Sequence, residues 1–254
     1  MVTLKKKRFI FTLTENYFGY KFKWSDLFLP ASYNGLRKVV LGQPFLGVKI
    51  YTQTMVLFLN KPIEELFANF SSSHKRYIKK AEAEGVKCYH NKDRKAFVGF
   101  YNEFAKRKKL HSLDSKRLDE CGGDEWIYFY AVKDDQLLVA HSYLQDEETG
   151  IVRLMQSGSL RLDENGDPRQ IARANKLLHY YSIRHFKDSG HKEYDYGYSQ
   201  SLPGLIEFKQ SFGAKPIDEF NYFSYMYMLN KNHKKLLASL KRKRFLFKAS
   251  TEAN

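Results

Sequence analysis

Two cysteines in 254 residues, Cys88 and Cys121, lie 33 positions apart with no C-x-x-C spacing. That spacing argues against a disulfide framework and a thiolate zinc site, and both are expected as reduced thiols. The eight histidines are scattered. A metal centre would need His141, His179 or His185 to converge through folding alone, so none is expected. No apolar run approaches the roughly 20 residues of a membrane-spanning helix. Met1 to Arg8 leads into alternating residues and not into the apolar stretch of a signal peptide, so a cytoplasmic protein is expected. Internal repeats and low-complexity linkers are missing as well.

What is present is apolar mass and positive charge. At 43% apolar and 16% aromatic residues, the chain can bury a sizeable core as one large domain or two small ones. Lys plus Arg is 43 against 28 acids, a formal net charge of +15. Such a balance favours polyanionic partners: RNA, nucleotide phosphates or anionic lipid.

Turn residues break Arg8 to Leu59 into short strands, ending in the buried-strand run Thr54 to Leu59. Asn60 is expected to cap a helix that starts near Pro62. Serines before His74 and Gly85 behind it bound a second helix, in which Lys75/Lys79 and Arg76/Lys80 are like-charge pairs at i and i+4. A bound anion would relieve the repulsion at Lys75 and Arg76. After a strand at Val86 to Tyr89, Phe97, Phe100, Tyr101 and Phe104 mark an amphipathic helix. Trp126 to Val132, Leu137 to Leu144 and Ile151 to Ser157 read as an antiparallel meander. A helix follows Pro168, with Ile171, Ala174, Leu178 and Tyr181 on one face and Gly190 past its end. Glu193 to Tyr196 is a strand, Leu202 to Phe212 a shorter helix and Phe220 to Leu229 a final strand.

Within Glu193 to Ala214, Asp195 closes the strand, Gly197 stands beside it, and Phe208-Lys209 is separated from Phe212-Gly213 by two residues. With Thr54 to Leu59, the Ser71 to Gly85 helix, the meander and the long helix, this unit resembles the FemAB-like branch of the GNAT acyltransferase superfamily over roughly Tyr51 to Leu229. The resemblance implies an α+β, or mixed α/β, fold: a GNAT-like central mixed, splayed β-sheet flanked by helices. Residues 1–50 would form a β-rich N-terminal extension, 51–230 the acyltransferase domain and 231–254 a basic C-terminal tail. Peptidoglycan bridge-forming members resemble two such units in tandem, whereas one is readable here.

The resemblance also implies a site. Two central strands should part, and a break in the first should free N–H groups for the donor carbonyl, with Leu154, Met155, Gln156 and Ser157 as lining. The superfamily's donor-phosphate loop aligns with Arg169, Ala172 and Ala174, with alanine where the pattern has its first glycine, so an aminoacyl-tRNA donor fits the charge better than acyl-CoA. Tyr198 stands where many GNAT enzymes keep a proton-donating tyrosine. His141 is a candidate base, and Asp195 would orient an amine or cap a turn. Lys209, like Lys75 and Arg76, is expected to face a phosphate or carboxylate.

The expected function is N-acyl or aminoacyl transfer from a thioester or aminoacyl-tRNA to an amine, related to the cell wall, with no tightly bound cofactor. The alternative is a non-catalytic GNAT-like module that holds RNA or another polyanion. A homodimer is compatible with either. Leu236, Leu237, Leu240, Phe245 and Phe247 among seven basic residues fit an anionic membrane surface, which would give peripheral contact at the inner membrane face through the tail.

Overall fold

A computed structural model describes residues 1–8, 11–21, 29–38, 47–114, 123–163, 166–197 and 203–229. Cys121, Tyr198 and the tail 231–254 lie outside the described residues. The strands are β1 (Val2–Arg8), β2 (Phe11–Tyr17), β3 (Ala31–Leu36), β4 (Gly47–Phe58), β5 (Lys87–Asn91), β6 (Trp126–Lys133), β7 (Gln136–Asp146), β8 (Ile151–Ser159), β9 (Glu193–Asp195) and β10 (Lys215–Ser224). The helices are α1 (Ile63–Ala68), α2 (Ser72–Ala83), α3 (Arg94–Arg107), α4 (Pro168–Asp188) and α5 (Pro203–Gln210). All ten strands join one mixed sheet in the order β1-β2-β3-β10-β4-β9-β8-β7-β6-β5. Among the described residues, β2–β3 and β8–β9 are the parallel pairs. No helix among the described residues is long and apolar enough to cross a membrane.

Local chemistry explains most element boundaries. Ser71 Oγ accepts from His74 N at the start of α2, and Gly85 follows the helix at φ +79°. Asp93 and Asp167 cap α3 and α4 in the same way. Two boundaries differ from expectation. Pro62, not Asn60, occupies the α1 cap position and makes no side-chain cap bond, because α1 starts at Ile63. The last strand runs over Lys215–Ser224, not 220–229, because β10 pairs with β4 continuously from Lys215–Val56 to Ser224–Gly47. Residues 225–229 then turn helical.

One face of the sheet is covered by α1, α2, α4 and α5. There Phe129, Phe186, Tyr194 and Phe212 are fully buried with Leu57, Ile78 and Val152. The opposite face packs Phe97 and Val98 of α3 and Val2 and Leu4 of β1 on Trp126, Tyr128, Leu144 and Ile151. Each such large side chain contributes about 1.5 to 3 kcal/mol relative to exposure. Residue 50 falls inside β4, and β3 pairs with β10, so the N-terminal strands extend the same sheet.

Gly35 marks how tightly that extension is seated. It lies at φ +75°, its N–H donates to Asn221 Oδ1 at 3.0 Å, and a Cβ there would stand 3.1 Å from Arg153 Nη2 and from Phe18 Cδ1. Gly35→Ala combines left-handed backbone strain with displacement of a buried guanidinium, and a loss of about 1 to 3 kcal/mol is expected in urea unfolding. Gly85→Ala, with open space around its Cβ, serves as the control for the backbone term alone.

Candidate functional site

β8 and β9 share three registered pairs: Ile151–Glu193, Val152–Tyr194 and Arg153–Asp195. Past Arg153, β8 continues to Ser159 beside β7. The chain past Asp195 leaves β8 instead: Tyr196 N donates to Met55 O at 2.8 Å, and Gly197 turns at φ +74°. The strands therefore part as a wedge whose described sides are Leu154–Ser157 and Tyr196-Gly197, with Gly197 still close to Leu154 O at its apex. Within it β8 bulges, since Ser142 pairs with Gln156 and Tyr143 with Leu154, leaving Met155 as the extra residue. Leu154, Met155 and Gln156 are half-buried and Ser157 is exposed. Among the described residues no strand pairs with the edge of β8 that faced β9 from Leu154 onward.

A buried ion cluster stands where the strands part. Arg153 donates to Asp195 Oδ2 through Nε at 2.9 Å and Nη2 at 2.6 Å, and its Nη2 also bonds Glu219. Arg37, from the turn after β3, reaches Asp195 Oδ2 at 2.8 Å and Glu193 at 2.9 Å. Asp195 Oδ1 accepts from Thr54 Oγ1 at 2.5 Å and from Gly197 N at 2.7 Å. Burial alone would raise the Asp195 carboxyl, but the guanidiniums of Arg153 and Arg37 hold it down at about 2. Both oxygens of this predicted catalytic carboxylate are thus committed to structure, and it caps the turn at Gly197.

His141, the predicted base, is fully buried under α4. Its ring bonds Tyr143 OH at 3.1 Å and Asn175 Oδ1 at 2.9 Å, and burial pulls it down to about 4. It belongs to a buried chain in which Tyr143 OH bonds Tyr194 OH at 2.5 Å and His179 Nδ1 bonds Tyr194 OH at 2.9 Å. Sealed in this network, His141 faces no substrate. Periodicity could not foresee this, because β7 alternates neutrally whether its inward polar residue meets solvent or a helix.

Lys209 does stand at the wedge. Its ammonium donates to Tyr196 O at 2.9 Å and Gly197 O at 2.8 Å, and the residue is 6% exposed. Two of its three N–H donors are so engaged, and no acceptor among the described residues takes the third. Burial lowers this ammonium to about 8, against the attraction of Asp195 and helped by repulsion from Arg153. Beside it, the Lys176 ammonium lies 4.8 Å from the Tyr77 ring centre and 5.6 Å from that of Phe208, and Arg76 packs over Tyr77 at 5.4 Å. Lys75 is turned away, donating to Ala68 O at 2.8 Å at the end of α1.

The start of α4 differs from a donor-phosphate loop. Pro168 supplies no N–H, and the Asp167 carboxylate accepts from Arg169 N at 2.8 Å. These backbone bonds to Arg169 and Gln170 hold the Asp167 carboxyl below its usual range. A capping carboxylate thus already engages the first N–H groups of this helix terminus. Ala174 is buried in the core and Arg173 is paired with Glu84 at 2.8 Å. Sequence reasoning missed Arg153, Lys176 and Asp167, although an arginine inside the apolar run Ile151 to Met155 and an aspartate before Pro168 were both visible signals.

Asp195→Asn leaves two guanidiniums short of a buried partner, and a loss of about 3 to 5 kcal/mol is expected. The depressed carboxyl also sets an acid limit. Its stabilisation, about 2 kcal/mol, is complete above the unfolded value near 4 and disappears as pH falls through about 2. Acid unfolding followed by circular dichroism should show that this acid-sensitive component is gone in the variant; an unchanged profile would remove Asp195 from the account.

No protein-family model matches this sequence, and no curated protein matches it either. Solved structures do. FemX superposes with TM-score 0.57 at 13% identity, over 92% of this chain and 85% of that one. The C-terminal domain of a putative lysylphosphatidylglycerol synthetase from Agrobacterium fabrum gives 0.57 at 9% identity, over 87% of this chain and 80% of that one. L-PGS from Bacillus licheniformis gives 0.55 at 10%, over the same shares of the two chains. With its central strands parted at Arg153 and Asp195 and helices on both faces, this chain shares the fold of FemX and of the lysylphosphatidylglycerol synthetase domain.

Proposed function

We propose that the wedge is the active site of an N-acyl or aminoacyltransferase. The observation that carries this reading is the Lys209 ammonium, anchored by two carbonyls at the point where β8 and β9 part, beside a bulged strand. An acyl carbonyl lying in the wedge would be attacked by the acceptor amine. A C–N bond forms, the ester or thioester bond breaks, the ammonium acceptor gives up a proton and the leaving oxygen or sulfur takes one. The third N–H of Lys209, with N–H groups of the parted β8 edge, would hold the developing oxyanion.

Asp167 at the α4 terminus argues against coenzyme A, whose pyrophosphate would meet a carboxylate there. The cationic, aromatic lip of Arg76, Tyr77, Lys176 and Phe208 suits the phosphates and bases of a tRNA acceptor end. An aminoacyl-tRNA donor is therefore the preferred reading. The structural roles of His141 and Asp195 favour the second reading, a non-catalytic module that binds RNA.

Panels of aminoacyl-tRNA and acyl-CoA donors with amine acceptors separate the two. The expected outcome is transfer from aminoacyl-tRNA, with Lys209→Met lowering kcat by about 10² to 10³ and Lys209→Arg retaining part of it. If the ammonium is the working form, the rate should fall as pH rises through about 8, and this limb should move to higher pH in Lys209→Arg. RNA binding that weakens with salt, without turnover of any donor, would leave only the binding module.

A further inference from the structure

Exposed large apolar side chains among the described residues include Leu29, Leu110, Leu162, Leu205, Tyr225 and Leu229, toward the end of the sheet at which the wedge opens, with Val48, Ile50 and Tyr51 on the same half of β4; Phe58 and Tyr89 lie elsewhere. β4 runs antiparallel to β9 with Val56 opposite Asp195, so Gly47 and its partner Ser224 lie beyond Asp195 in that direction. Tyr225 and Leu229 continue from Ser224, and the Leu29 carbonyl accepts from Ser224 Oγ at 3.0 Å. Leu162 follows the far end of β8 in a single 3-10 turn. Leu110 follows α3, whose Arg107 bonds Asp163 at 2.7 Å beside that turn. Leu205 lies in the first turn of α5, after the chain has left β9 at Gly197.

Cations alternate with these residues. Exposed Lys106, Lys108 and Lys109 precede Leu110, and exposed Arg161 precedes Leu162. The sequence after Leu229 continues in the same composition, with seven Lys and Arg between His233 and Lys248 among leucines and phenylalanines. Leucine set among lysines suits the boundary between lipid headgroups and acyl chains, where apolar insertion and attraction to anionic lipid add. Single-stranded RNA would be met by stacking aromatic groups, and a protein-binding core is depleted in lysine; at this end aliphatic side chains outnumber Tyr51 and Tyr225 and stand among lysines.

We propose that the wedge end of this protein lies on an anionic lipid bilayer, with the leucines in the interfacial layer and the cleft opening at the membrane surface. The surface is read without turnover, so its failure and the failure of the transferase reading are separate results. Full-length protein is sedimented with vesicles of phosphatidylcholine alone or with about one-third phosphatidylglycerol. Binding to the anionic vesicles is expected, with Leu110→Glu/Leu162→Glu lowering the partition coefficient by about tenfold or more. Leu29→Glu/Leu229→Glu, on other elements of the same end, should do likewise, and unchanged thermal melts show that each pair still folds. No binding by the parent protein overturns the proposal. So does full binding by both folded variants, which would assign binding to tail charge alone. Self-association lost in the variants, without vesicle binding, would assign the face to a second copy and overturn it equally.

Discussion

The contact between Arg153 and Asp195 sets the geometry of everything around it. These residues form the last rung of the parallel β8–β9 ladder, and their side chains meet on the same face of the sheet. Above this rung the strands separate; below it they are hydrogen-bonded. The carboxylate also accepts the N–H of Gly197 and so helps hold the turn that takes the chain away from β8. One buried ion pair thereby defines both where the wedge begins and the direction of one wall. Arg37 and Glu219 draw the turn after β3 and strand β10 into the same cluster. The N-terminal strands are therefore tied electrostatically to the point at which the candidate site opens.

The two faces of the sheet solve the problem of buried polarity in opposite ways. On the α3 side, full charges are neutralised by close partners: two guanidiniums against Asp195, Glu219 and the half-buried Glu193. Removing one member strands the others, so this side is rigid at the cost of heavy penalties for change. On the α4 side, neutral hydroxyls and imidazoles bond one another, with His141 and His179 kept uncharged by burial. Lys209 sits at the edge of that neutral region, where burial lowers its ammonium to about 8 while leaving it charged at neutral pH. An ammonium lowered toward neutrality at a strand opening is a group whose charge responds to a bound oxyanion.

Much of the fold could be read from residue order. The serine cap before α2, the apolar spacing of α3, glycines after α2 and α4, and alternation through β6 to β8 gave elements close to those observed, because each depends on contacts within a few residues. The site was only partly legible. Met155, named among the expected lining, is the bulged residue of β8, and Lys209, expected to face a phosphate or carboxylate, donates to the carbonyls of Tyr196 and Gly197. The turn-capping alternative for Asp195 is what the structure shows, whereas its guanidinium partners and the sealing of His141 by Asn175 were not legible, since those partners lie 34 to 158 residues away. The cap at α4 lay within reach: Asp167-Pro168 announces that the helix terminus is already supplied with an anion.

By itself the sequence determined the helices, the meander, the strongly basic surface and the Phe-Lys to Phe-Gly helix against a short strand, because periodicity, capping and net charge are local or summed properties. Tertiary structure alone decided that Arg153 and Asp195 pin the parting of two strands, that the predicted base is sealed in the core, and that scattered leucines gather at the open end. Such facts depend on which distant segments become neighbours. A charged or apolar side chain gains its energetic meaning only from the partners and the solvent left around it once the chain has closed.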